Sequence, residues 1–407
     1  MEKDNSVSFF DRMMVSLLVV GGIIGAGILA LPVNTGLAGF IPSSINLLLF
    51  GAGMFFTAIV LSREAVIEKT DNFNYPSMYR KYLGVTGKWV ATGANLFLLY
   101  GLLVAYITGG STIISNLFNI PAEYYRPVTI GFFFILVGII ALGLGVVVKV
   151  NAVFTVLMFT TFIAIVVMGI PHVKAQNLTY KDLQFLPCTV PIIVTAFNFH
   201  NVIPTVCKSL KWDNRIITKT ILTGMVIGYT MYALWMFVGV GALPVEGGEG
   251  SLIYAFDNNL PATIPLSKMM NNELFLVIAM VFSLVALTAS CIANSTGLLA
   301  FVEDLMANTF GVRNKLLCVA VAFIPPFVVA LIFHGIFLRA LNIVGGFGII
   351  LLFGILPSVI AISKTKGWRR EVAFLIMLVF LGAFVFEIFQ ETGLLRIKPE
   401  VEYYKGN

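Results

Sequence analysis

Residues 13–62 form fifty consecutive positions without one Asp, Glu, Lys or Arg. A helix in water needs a polar face, and strands are short. Bilayer hydrocarbon accepts such a stretch, and at about 20 apolar residues per crossing it holds two transmembrane helices. The segment from Asn34 to Gly39 supplies the turn between them.

Further uncharged runs cover 89–122, 127–148, 150–171, 183–207, 220–245, 274–302, 316–338 and 340–363, and a last apolar segment, about 372–392, carries Glu387 near its end. The expectation is eleven helices. The runs lack the apolar–polar alternation of membrane barrel strands. Composition agrees: the chain is 58% hydrophobic and 11% charged, whereas soluble domains carry roughly a quarter charged residues. The first apolar segment is too long for a cleaved signal peptide and runs directly into the second. We therefore read an all-α integral membrane protein without a separate soluble domain.

Charge excludes some partners. Net charge is +6, but no basic patch interleaves with aromatics, so nucleic acid is not expected. Cys188, Cys207, Cys291 and Cys318 lie far apart, which speaks against a disulfide framework or a metal site. With the N-terminus inside, 18 of the 26 Lys and Arg fall in cytoplasmic segments and 8 outside. By the positive-inside rule the N-terminus is cytoplasmic and the C-terminus external. The longest outer loop, 243–271, has room for a short surface helix.

Two spans do not read as simple crossings. The first contains Gly21-Gly22-Ile23-Ile24-Gly25-Ala26-Gly27 and then Pro32. Each glycine weakens a helix by up to about 1 kcal/mol relative to Ala, although small residues also serve close helix packing. The sixth span carries Ala196-Phe197-Asn198-Phe199-His200-Asn201 between Pro191 and Pro204. Polar residues at that depth face a cavity or a partner, and Pro204 deprives a carbonyl of its donor. Interruptions in matching halves of a chain point to a transporter site at the interface of inverted repeats. We place the repeats at about 10–172 and 183–363, with 372–392 as an extra helix. Half-helix N-termini suit a carboxylate and free carbonyls suit a cation, and an α-amino acid presents both charges.

The segments Ile24-Gly25-Ala26-Gly27-Ile28-Leu29-Ala30-Leu31-Pro32 and Phe197-x-Phe199-His200 with Pro204 carry a resemblance. So do Ala105-Tyr106-Ile107-Thr108-Gly109, Pro171-His172 and Phe323-Ile324-Pro325-Pro326. Over nearly its whole length the sequence resembles the hydroxy/aromatic amino acid permease family, the tyrosine- and tryptophan-specific permeases of the amino acid–polyamine–organocation superfamily. The resemblance implies a leucine-transporter fold with five-plus-five inverted repeats. It also implies proton-coupled uptake of tyrosine, tryptophan or phenylalanine across the inner membrane, without a cofactor. Asn198 and Asn201 stand where glycines are expected in the relatives, and Met158 stands where some carry a lysine.

The candidate substrate site comprises Gly22, Gly25, Ala26, Gly27, Tyr106, Phe197, Asn198, Phe199 and His200. His200 can titrate near neutral pH or hydrogen-bond a carbonyl at the break. Phe197 and Phe199 stack on an aromatic substrate or fill core. Tyr106 offers its hydroxyl to the substrate carboxylate or to a neighbouring helix. By the resemblance, a cation site combines Gly22 and Gly25 carbonyls with Ala286, Ala289 and Ser290, while Ser290 can also bond back to its own helix. Arg12, Glu303 and Asp304 form an inner gate or are solvated end charges. The coupling ion is a proton, or sodium through neutral oxygens. Small hydroxy amino acids are the alternative substrates, and a non-transporting sensor is the alternative class. A channel would show a pore motif or charged ring and an enzyme a nucleophile–base pair. Neither pattern is found.

Overall fold

The computed structural model describes residues 8–69, 74–141 and 144–400; Lys3 and Lys405, counted above for orientation, lie outside the described residues. Every regular element among them is helical. In chain order these are α1 (Phe9–Ile23), α2 (Ala26–Gly36), α3 (Phe40–Glu68), α4 (Tyr75–Leu117), α5 (Tyr125–Ala141) and α6 (Leu144–Gly169). There follow α7 (Ala175–Thr179), α8 (Val190–Ala196), α9 (Ile203–Ser209), α10 (Asn214–Ala242), α11 (Leu252–Asp257) and α12 (Thr263–Met270). The last are α13 (Glu273–Phe310), α14 (Lys315–Ile332), α15 (Phe337–Ile343), α16 (Leu356–Lys364) and α17 (Trp368–Glu391).

Ten helical segments are long and apolar enough to cross a membrane, and α1 with α2, bent by 56°, brings the number of spans to eleven. Several helices start on an Asx cap. Asp213 Oδ1 accepts from Arg215 N at 2.8 Å and Ile216 N at 3.0 Å, and Asn272 Oδ1 accepts from Phe275 N at 2.9 Å. Such caps satisfy first-turn N–H groups that nothing in the helix can reach. The turn between the first two spans falls at Gly39, whose φ of +100° suits a residue without Cβ.

Three features differ from the sequence reading. The third span is preceded by a separate charged helical segment, from Tyr75 and carrying Arg80 and Lys81, which meets the span at a kink on the non-helical Gly84 (φ 67°, ψ −159°). The loop 243–271 holds two short helices, α11 and α12, which are buried rather than lying on the surface. Ala262 N donates to Leu29 O at 2.8 Å, folding this loop onto α2. The tenth span is a π-helix over Val344–Ile355, flanked by α15 and α16. Its glycines admit close neighbours: Gly345 lies against Pro191 O and Thr195 of α8, and Gly346 against Glu387 of α17.

Lipid gives helices no hydrophobic reason to associate, so tight packing of small residues matters more. On α10, Gly224 meets Val19, Gly228 meets Ile23 and Gly239 meets Pro32, so the helix lies against both halves of the first span. The two broken spans also meet backbone to backbone: a Cβ on Gly27 would stand 2.8 Å from Ala196 Cα. Backbone cannot yield as a side chain can. Gly27→Ala should therefore lower stability by about 1–3 kcal/mol, seen as a lower melting temperature of purified protein. Gly21→Ala, with nothing within 4 Å of the new methyl, should leave it unchanged.

Candidate functional site

The first break is short. Ile24 (φ −79°, ψ 93°) and Gly25 (φ −137°, ψ −153°) run extended between α1 and α2. The second covers residues 197–199, and a single 3-10 turn, His200–Val202, leads into α9. Pro204 sits in the first turn of α9, where its missing N–H costs nothing. The two breaks face each other, for a Cβ on Gly22 would lie 3.2 Å from Phe199 Cβ.

Breaks at this depth release carbonyls that must find donors. The Tyr232 hydroxyl of α10 lies 2.5 Å from Ile23 O and 2.7 Å from Ala196 O, one proton between two acceptors. Trp235 Nε1 donates to Ile28 O at 2.7 Å, and the Tyr75 hydroxyl donates to His200 O at 2.5 Å. A few aromatic polar tips thus hold the irregular backbone in place.

Between the breaks opens a cavity of about 1370 Å³. Gly22, Gly25, Ala26, Gly27, Tyr106, Asn198 and Phe199 line it, as do Ala289, Ser290 and Asn294 of α13. It continues past Met158 and Thr155 to Asn74, Asn151 and Asp304 at the membrane face where α1 begins. The opposite face is closed: Asn34 Nδ2 donates to Asn342 Oδ1 at 3.1 Å, and Asp182 N donates to Ala38 O at 3.0 Å.

Most expected residues gather here, but Arg12 and Glu303 of the expected gate do not line the cavity, nor do three of the expected substrate and cation residues. Phe197 is fully buried, its ring T-stacked on Tyr232 at 5.5 Å and capped by Gly51. The break turns this side chain into the α3–α10 packing instead of toward a ligand. His200 is also fully buried, stacked on Phe353 at 4.7 Å with Phe199 against it at 4.9 Å. His200 Nε2 shares a hydrogen bond with Thr57 Oγ1 at 3.1 Å, and Nδ1 has no partner among the described residues. Packed this way, the ring does not line the cavity. Ala286 lies one turn from Ser290, buried inside the α13 packing.

Tyr106 accepts from Asn294 Nδ2 at 3.2 Å, and the same amide donates to Ser290 O at 2.9 Å. Ser290 Oγ stands 2.6 Å from where a Gly25 Cβ would be, so Gly25 is the residue that lets α13 approach the first break. At the mouth, Asp304 accepts from Asn74 Nδ2 at 2.8 Å and Asn308 Nδ2 at 2.6 Å, and no ion pair among the described residues joins it or Glu303 to Arg12. The mouth is open on this face.

Two opposed broken helices around a midplane cavity in an eleven-span bundle define a membrane carrier of the leucine-transporter fold. The structure of MhsT in complex with L-phenylalanine superposes with a TM-score of 0.63 at 13% identity, covering 93% of this chain and 99% of that one. The chain belongs to the tryptophan/tyrosine permease family, whose sequence profile matches residues 11–390. It is 29% identical to tyrosine-specific transport system 1 of Haemophilus influenzae, over 93% of this chain and 94% of that protein. The tryptophan-specific transport protein of Shigella flexneri is 24% identical, with 87% of each chain covered. This is a multi-pass permease, not an enzyme.

Sequence reasoning missed Tyr232 and Trp235. Their only signal is position: they follow Gly224 and Gly228 at helical spacing, on the face that meets the first span. Tyr232→Phe keeps the ring against Phe197 but strips the donor from two buried carbonyls. It should cost about 1–3 kcal/mol and slow uptake at least tenfold, read by thermal melting and initial transport rates.

Proposed function

We propose that this permease imports aromatic amino acids by secondary active symport, alternating access around the broken first and sixth spans. The observation that carries the reading is the cavity itself, which puts the uncapped start of α2 opposite Asn198 and Phe199. The N–H groups that open α2 suit the substrate carboxylate, and Phe199 with Leu99, Leu102 and Phe159 gives a ring apolar walls. Relatives named for tyrosine and tryptophan support the substrate class. Residues about 10–172 and 183–363 serve as the inverted repeats and 372–392 as an added helix. The positive-inside bias puts the N-terminus in the cytoplasm, the C-terminus outside and the open mouth inward. Arg12 with Glu303 or Asp304 closes that mouth in the outward-facing state.

Family resemblance favours protons as the coupling ion. Sodium is the second reading, favoured by one observation: the Ser290 hydroxyl, without a hydrogen bond among the described residues, beside Gly25 at the first break. Oxygens of this kind, with Gly22 and Gly25 carbonyls, ligate a hard cation.

Proteoliposomes loaded at fixed membrane potential test both parts. Labelled tyrosine or tryptophan should accumulate against a gradient under an inward proton gradient, and failure of every aromatic amino acid to accumulate under either ion would overturn the symport reading. Accumulation driven by sodium alone, with at least tenfold loss in Ser290→Ala, would replace the proton with sodium. Cysteines at Arg12 and Asp304 should cross-link when substrate and external ion hold the carrier outward-facing. Absence of the cross-link in every state would remove the gate.

A further inference from the structure

Among the described residues, the buried carboxylates are Glu64, Asp182 and Glu387. Two of them are matched. Glu64 takes Lys364 Nζ on one oxygen at 2.5 Å and the Tyr82 hydroxyl on the other. Asp182 Oδ1 accepts from Gln184 N at 3.0 Å and Phe185 N at 3.1 Å, and its Oδ2 accepts from Glu400 N at 2.7 Å. Glu387 of α17 has neither an ion pair nor a hydrogen bond among the described residues, although it is only 4% exposed and lies inside a span. Ionisable groups inside a span are costly, and they mark ion pathways and proton relays.

The position of this carboxyl is specific. Gly346 of the π-helix has no Cβ, and one placed there would stand 2.4 Å from Glu387 Cγ and 2.8 Å from its Cδ. The acidic side chain therefore lies directly on the backbone of the tenth span. The adjacent Gly345 fits against Pro191 O and Thr195 of α8, and Thr195 lines the cavity. One helix thus separates the carboxyl from the first half of the broken sixth span. Charged groups nearby are already engaged. The π-helix and α8 carry no titratable residue. The turn Leu186–Thr189 carries Cys188, which Gln390 Nε2 reaches at 3.8 Å. Glu391, one turn further along α17, pairs with Arg339 of α15 at 3.2 Å, and Lys364 of α16 pairs with Glu64. Arg396, beyond the helix end, lies against Gly393.

We propose that Glu387 is the site where the coupling proton binds: its carboxylate takes one proton as substrate is carried in and gives it up on the inner side. This rests on the symport reading above with the proton as its ion. Glu387 stands one turn from the end of α17 that the positive-inside bias puts outward, so the outer solution can supply the proton. A proton needs no cavity of its own, and the group can act one helix away from the substrate. A bound ion drives an exchange only if the two states hold it unequally. A carboxyl pressed on Gly346 in one state and released from it in the other meets that need. Protonation removes a charge from the contact with the tenth span, and the Gly345–Gly346 face of that span passes the change to α8. There Thr195 Oγ1 bonds Leu341 O at 3.0 Å, at the edge of the second break.

The test uses the full chain in proteoliposomes with labelled tyrosine, a pH-sensitive dye inside and the membrane potential held at zero. Under an inward gradient of about one pH unit, symport with one proton concentrates substrate up to about tenfold. The wild type should approach that ratio and acidify the lumen when tyrosine is added outside. Glu387→Gln keeps the shape of the neutral acid but cannot release a proton. It should bring the ratio to unity and abolish the acidification, while labelled tyrosine still exchanges for unlabelled tyrosine across the membrane. Glu387→Asp, which restores a carboxylate, should regain part of the coupling, and Glu391→Gln, one turn away, should keep all of it. Proton-driven accumulation that survives in Glu387→Gln would overturn the inference and leave the symport reading intact. Joint loss of accumulation and exchange in both Glu387 variants would also overturn it, by making the residue a packing element. A wild type driven by sodium alone would remove the proton reading and the inference with it.

Discussion

One hydroxyl sets the geometry of the site. Tyr232 Oη stands between the last carbonyl of α1 and the last carbonyl of α8. A helix that stops in hydrocarbon leaves carbonyls without donors, and lipid offers none. Breaking one span is costly; breaking two side by side is feasible because a single donor on a third helix serves both. The same helix supplies Trp235 for Ile28 O, so both halves of the first span answer to α10. Gly224, Gly228 and Gly239 bring α10 close enough to do so.

From this follows the division of the molecule around its cavity. On one side α1, α2, α8 and α10 are joined by backbone-level contacts that leave no room for a methyl. On the other, α4 and α13 pack along their lengths and are tied at the midplane by Asn294 and Tyr106. On the face away from the start of α1, Asn34 of α2 is tied to Asn342 of α15 and Ala38 to Asp182, while the cavity opens at the other face. Alternating access needs only that one set of such ties form as the other breaks, a rigid-body exchange that suits tightly packed elements. The π-helix of the tenth span, wedged between α8 and α17, lies where such a motion would be transmitted, and π segments recur at functional sites.

The positions of both breaks were legible in the sequence because glycine and proline act on the backbone directly. The glycine run around Gly25 weakens a helix and Pro204 favours a helix start, although Pro32, Pro325 and Pro326 sit inside helices elsewhere in the chain. The span count was legible for a similar reason, since charge cannot sit unpaired in hydrocarbon. What was hidden depends on direction and distance. Phe197 and His200 sit in the second break, but which way each points is set by torsions at residues 197–199, and both turn into the packing. Tyr232 is one of 13 tyrosines, and nothing local tells a clamp from a filler. The charged segment at the start of α4 is set off from the apolar span by the kink at Gly84, so the hydropathy pattern and the backbone break together.

The buried polar residues of this carrier therefore separate by what occupies them. Near a broken helix, polar atoms are first consumed by the backbone: Tyr75, Tyr232, Trp235 and Thr195 all end on carbonyls. Those atoms cannot also bind substrate without giving up the fold. His200 is half spent: its Nε2 bonds Thr57, while its Nδ1 is buried without a partner. The groups left over are few, Asn198 and Ser290 at the midplane above all. In lipid an unspent hydrogen bond is costly, so selection against stability would remove such groups unless a ligand or ion met them during the cycle. Such atoms are not confined to the cavity, for Asn34 Oδ1 and His200 Nδ1 are also buried without partners, so what sets Asn198 and Ser290 apart is that their residues line the open space between the breaks.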